Sequence, residues 1–80
     1  MLMLKNLSFD NVPYVLSSLG EYCRITRIQS GFRQIDVANE TGCSQQNVSF
    51  FERGENNNAI LLLWYIKHGL LDVLKKWGEL

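Results

Sequence analysis

The chain has 80 residues, enough for one domain with a small core and too few for a second. Eight Lys and Arg balance eight Asp and Glu, so the formal net charge is zero and a polycation that binds nucleic acid by bulk charge is excluded. Hydrophobic content of 46% with 20% charged residues is that of a folded globular chain; two cysteines cannot build a disulfide scaffold, and the one histidine, His68, leaves little for a metal site or a nucleophile–histidine pair, which points away from catalysis.

Residues 1–11 read as an N-terminal arm or extension, in which Leu2, Leu4, Leu7 and Phe9 form a short strand or arm packed on the body. The opening Met1 to Leu4 breaks at Lys5 and Asn6, short of the apolar run a signal peptide needs. The longest apolar run, Ala59 to Ile66, falls far below the ~20 residues of a membrane span. The expectation is a cytoplasmic protein with both thiols reduced.

Residues 12–80 read as one all-helical domain, because no period-two alternation is sustained and the glycines fall between periodic segments. Asp10 or Asn11 is placed to cap a first helix with Pro13 in its first turn. That helix runs to about Gln29, lines one face with Leu16, Leu19, Tyr22 and Cys23, and ends at Ser30-Gly31. A second, short helix spans about Gln34 to Thr41, with Val37 and Ala38 inward and Gly42 as its left-handed stop. Ser44 caps a third, about Gln45 to Arg53, which buries Val48 and Phe51. After the polar Asn56-Asn57-Asn58 loop, Asn57 or Asn58 caps a fourth helix, about Ala59 to His68, closed by Gly69. A fifth spans about Leu71 to Trp77.

Residues 34–53 have the logic of two helices crossing steeply through a tight turn. A close crossing needs a small residue at the contact, which is Ala38. The turn needs positive φ, which Gly42 supplies. The later helix must bury two apolar residues three apart, Val48 and Phe51, and this leaves Gln45, Gln46, Asn47 and Ser49 outward.

The stretch from Gly31-Phe32-Arg33-Gln34, through Val37-Ala38, Gly42-Cys43-Ser44-Gln45-Gln46-Asn47-Val48-Ser49, to Phe51-Glu52-Arg53-Gly54 resembles the helix-turn-helix family of phage repressors and Cro proteins, the XRE type. The likeness extends to Leu19-Gly20-Glu21 and Gly69-Leu70-Leu71-Asp72, and covers about two-thirds of the chain. It implies a compact five-helix, lambda-repressor-like bundle, binding to double-stranded DNA at a palindromic operator, and homodimerisation, with no cofactor. By the same resemblance Gln45 and Gln46, with Ser49 and Phe50, stand as base readers; glutamine can bond bidentately to adenine, and an exposed Phe can cover a thymine methyl. Arg33, Gln34, Ser44, Asn47 and Arg53 stand as phosphate contacts. Arg27 and Glu52 match a structural ion pair between the first helix and the end of the third.

The charge balance favours a second reading, a protein-interaction module on the same fold that binds a regulatory partner. From Glu21 to Gly54, Arg24, Arg27, Arg33 and Arg53 face Glu21, Asp36, Glu40 and Glu52, so this unit is neutral, and the loop Glu55 to Asn58 carries no cation. The fourth helix is apolar all round, which calls for a cover on its outer face, either the N-terminal Leu2, Leu4, Leu7 and Phe9 segment or the second subunit of a homodimer. Leu62, Trp64, Tyr65 and Trp77 are the interface candidates, and the aromatic ones read equally as core. Cys23 and Cys43 read as buried core thiols, and His68 as a surface residue suited to a helix C-terminus.

Overall fold

A computed structural model describes the backbone of residues 12–77 and the side chains of residues 18–77. The readings of residues 1–11, of the first-helix cap at Asp10 or Asn11, and of the side chain of Leu16 lie outside that range. Among the described residues the fold is all-α: α1 Val12–Gln29, α2 Gln34–Thr41, α3 Gln45–Glu52, α4 Ala59–Lys67 and α5 Leu70–Trp77. None of these helices is long and apolar enough to cross a membrane.

The α2–α3 corner follows from its residues. Gly42 takes φ 77°, and its amide donates back to the Ala38 carbonyl at 2.9 Å, which ends α2 and turns the chain. Ser44 Oγ then accepts the Asn47 amide at 3.1 Å and satisfies one of the donors that a helix N-terminus leaves free. At α2 the arrangement differs. Arg33 holds the N-cap position, and a guanidinium cannot accept an amide proton. Instead Asp36, three residues on, accepts the Arg33 backbone N–H at 2.8 Å, so only the carboxylate half of a capping box is present. Asn58 caps α4 by accepting from both Ile60 N and Leu61 N.

The core is one cluster: Cys23 from α1, Val37 and Ala38 from α2, Val48 and Phe51 from α3, Leu61, Trp64 and Tyr65 from α4, and Leu70 and Leu74 from α5. Phe51 and Tyr65 stack with ring centroids 5.5 Å apart, and Phe32 meets the edge of Trp64 at 5.1 Å. Trp64 hands its indole N–H to Glu40 Oε1 at 2.9 Å, so a large side chain is buried with its one polar atom satisfied.

Two of the interface candidates are therefore core. Tyr65 has no exposed surface and Trp64 keeps 7%. Neither can meet a partner without opening the bundle. The outward stripe of α4 is instead Ile60, Leu63 and Ile66, and Trp77 is 54% exposed on α5. Leu62 is half-buried against the core. His68 also departs from expectation. It is half-buried and stacked on Trp64 at 3.8 Å, with its Nδ1 donating to the Trp64 carbonyl at 2.8 Å. Both cysteines are free thiols; Cys23 is fully buried, whereas Cys43 is half-buried and takes a long contact from Asn58 Nδ2 at 3.8 Å.

Gly20 marks a close approach of α1 to α3. A Cβ built there would lie 2.6 Å from the Glu52 carbonyl oxygen and 2.8 Å from that of Phe51. α1 thus rests directly on the backbone at the end of α3, and only a residue without a side chain permits it.

Candidate nucleic-acid interface

α3 is amphipathic by position. Val48, Phe51 and Glu52 point inward, which turns Gln46, Phe50 and Arg53 to the opposite side with Gln45 and Ser49 beside them. Gln45, Gln46 and Asn47 are exposed, Ser49 and Phe50 are half-buried, and Arg53 is exposed. Among the described residues the side-chain amides of Gln45 and Gln46 have no hydrogen-bond partner, and neither does the Ser49 hydroxyl. The Arg53 guanidinium lies 4.9 Å above the Phe50 ring, a cation–π contact that holds both against the helix. Asn47 contributes backbone only: its carbonyl accepts from Asn56 Nδ2 at 3.3 Å.

A buried polar network holds this helix. The Glu52 carboxylate has a side chain only 3% exposed, and it accepts four donors. Arg27 Nε donates at 2.7 Å and Nη2 at 3.1 Å, Gln34 Nε2 donates at 3.1 Å, and the Tyr65 hydroxyl donates to Oε2. Arg27 Nη1 adds a bond to the Phe32 carbonyl at 2.9 Å. The network ties α1, the α1–α2 connection, the start of α2, the end of α3 and the middle of α4 at one carboxylate. The Glu52 hydrogen bond raises the Arg27 pKa further. Burial, reinforced by the bond to Glu52, drives the Tyr65 hydroxyl well above the ordinary phenol range. Burial pushes the Cys23 thiol up to about 12, with the Glu52 charge adding to it. The Arg27–Glu52 pair expected from the sequence is present, and Gln34 and Tyr65 complete it.

Gln34 is consequently half committed. One of its two amide N–H groups goes to Glu52, and one remains for a ligand. Arg33 is exposed and bonds Asp36 Oδ1 and Oδ2 at 2.9 and 3.1 Å; these bonds hold the Asp36 carboxyl below its ordinary range. Ser44 spends an oxygen lone pair on its capping bond.

Gln34, Ser49, Glu52 and Arg53 meet Glu21 and Arg24 of α1 in one open cleft of about 730 Å³. The α1 residues of this cleft are absent from the sequence-derived site. Their only signal in the sequence was an opposite-charge pair at i,i+3 directly after Gly20. All four arginines have a carboxylate partner: Arg24 with Glu21 at 3.1 Å, Arg27 with Glu52 at 2.7 Å, Arg33 with Asp36 at 2.9 Å and Arg53 with Glu55 at 3.0 Å. Three of these pairs are exposed, and only Arg27–Glu52 is enclosed.

Comparison with family models, with curated proteins and with solved structures returns no match. Among the described residues, no group of three His, Cys, Asp or Glu side chains is placed to hold a metal ion.

Proposed function

We propose that the chain is a sequence-specific DNA-binding regulator that presents α3 to the major groove. The observation that carries this reading is the α3 surface itself. Gln45, Gln46 and Ser49 are polar groups the fold does not use, on a helix whose position is over-determined by a four-donor carboxylate and a backbone contact at Gly20. A helix fixed this firmly, with uncommitted amides outward, suits recognition of base edges, where a bidentate glutamine–adenine pair contributes ~1–3 kcal/mol of discrimination. In this reading the protein is a repressor of phage or bacterial origin that acts in the cytoplasm as a homodimer. Ile60, Leu63 and Ile66 of α4 and the exposed Trp77 supply its dimer face, and its half-sites lie about one turn, ~34 Å, apart.

The exposed arginine pairs do not oppose this. A solvent-exposed ion pair is worth only ~0–1 kcal/mol, so a phosphate can displace the carboxylate at little cost. If Arg24, Arg33 and Arg53 of each protomer meet phosphates, log affinity falls with log salt at a slope of about −5 for the dimer.

Selection of bound sequences from a random duplex pool at low salt tests the proposal. A palindrome enriched by the wild type and lost in Gln45→Ala/Gln46→Ala supports it. No enrichment from a folded protein refutes it. The internal pairing of every arginine, together with the exposed α4 stripe, favours one other reading, a protein-interaction module for a regulatory partner. That reading expects partner binding that survives Gln45→Ala/Gln46→Ala and is lost in Leu63→Glu.

A further inference from the structure

We infer that the cleft between α1 and α3 is a seat for one DNA phosphodiester in each half-site, with Arg24 of α1 as a phosphate ligand alongside Arg53. The inference rests on the DNA-binding reading and adds to it a helix that the sequence-derived site leaves out.

The cleft brings two cations from different elements, Arg24 and Arg53, to a common opening. The same cleft is lined by three uncharged donors suited to an anion, the free amide N–H of Gln34 and the Ser18 and Ser49 hydroxyls. A phosphodiester oxygen is an acceptor only, so it needs a donor-lined site. Glu52 also borders the cleft, but its four donors turn its charge inward and leave it neutralised by Arg27. Glu21 is the one remaining carboxylate, and it stands on the rim with its side chain 55% exposed. It is tied only to Arg24, in an i,i+3 pair that solvent screens. Glu55 stands in the same relation to Arg53. Each cleft arginine is thus already held by a carboxylate, at 3.1 and 3.0 Å, in the manner a phosphate oxygen would hold it. Binding exchanges one acceptor for another without reorganising the bundle. Because Arg24 reaches from α1, the phosphate it holds lies beside the groove that α3 enters, and the contact fixes the angle of α3 rather than its sequence preference.

The test uses the full chain and the palindrome it selects. Arg24→Gln weakens binding about tenfold per half-site, lowers the dimer's salt slope by about 2, and leaves the selected sequence unchanged. Glu21→Gln, which frees Arg24, tightens binding. A set of duplexes in which one phosphate at a time is replaced by an uncharged methylphosphonate locates the contact. At one phosphate of each half-site the replacement weakens the wild type more than it weakens Arg24→Gln, whose remaining loss is the Arg53 contact. Thermal melting of Arg24→Gln stays at the wild-type value, since the side chain is half exposed. Wild-type affinity and slope in Arg24→Gln, or equal methylphosphonate penalties in both proteins at every phosphate, overturns the cleft assignment while leaving the regulator reading intact. A wild type that retains no duplex overturns the reading and the assignment with it.

Discussion

Replacing Glu52 by Gln tests the physical centre of the fold. The substitution preserves shape and removes one charge. In the native protein four donors converge on the carboxylate, and Arg27 and Glu52 keep only 12% and 3% of their side chains exposed. An amide in that position turns an NH2 toward the donors of Arg27 or Gln34 and leaves the Arg27 charge without a counter-charge. Breaking an enclosed pair from one side costs ~3–5 kcal/mol. A chain of this length has roughly 4–12 kcal/mol of total stability, so Glu52→Gln removes about a quarter of it or more. With roughly 4–8 °C per kcal/mol for a small domain, the melting temperature falls by at least about 12 °C. Circular dichroism melting and urea titration measure this directly, and Arg27→Gln/Glu52→Gln completes a double-mutant cycle. The pair's coupling makes the double variant more stable than the sum of the single losses. A melting temperature for Glu52→Gln within about 5 °C of wild type, with no coupling in the cycle, would show that the network is solvated and that α3 is held by apolar packing alone.

Gly20→Ala, which gains ~1 kcal/mol of intrinsic helix stability, instead destabilises by ~1–3 kcal/mol, because its methyl meets backbone oxygens 2.6 and 2.8 Å away; a neutral or stabilising result in urea unfolding sinks the contact. Stability falls on the alkaline side. Cys23 at about 12 and the raised Tyr65 stay protonated in the fold, and unfolding lets them ionise at ordinary values, so the Cys23 contribution is lost above ~pH 8.5 and the Tyr65 contribution above ~pH 10, each at ~1.4 kcal/mol per pH unit. Urea midpoints that do not move between pH 7.5 and 10.5 contradict this, and Cys23→Ala makes the slope shallower. Iodoacetamide labels half-buried Cys43 in the folded protein and reaches fully buried Cys23 only on unfolding; equal labelling of both thiols refutes the burial assigned here.

Legibility in the sequence followed the range of each interaction. The α2–α3 corner was readable because its determinants are local: Ala38, Gly42, Ser44, Val48 and Phe51 each answer a requirement set within about ten residues. Helix limits matched to within a residue for the same reason, since Gly42 and the Asn58 cap act on the next turn. α4 defeated the phase argument. With apolar residues all round, its sequence cannot say whether Leu63 or Tyr65 is inside; in the fold Tyr65 is, stacked on Phe51 and donating to Glu52, contacts thirteen or more residues away in sequence. His68 was misplaced because its stacking partner Trp64 belongs to the core rather than to an interface. Of the arginine partners, Glu21 and Asp36 sit at helical spacing and were readable in principle. The cleft was not, because it exists only where α1 crosses α3.

The contact at Gly20 has one more consequence. Most helix pairs are spaced by side chains, which can rotate or shrink, so the distance between two axes drifts as a core is repacked. Here α1 and the last turn of α3 meet through main-chain atoms on the α3 side, with no intervening rotamer to adjust. Their separation is set by atomic radii. Truncating Val37 or Leu61, both fully buried, lowers the stability of the bundle and leaves that spacing where it was. Tolerance to change in the core and constancy of the outward helix are therefore properties of different atoms, and a lineage of such chains can vary the first without disturbing the second.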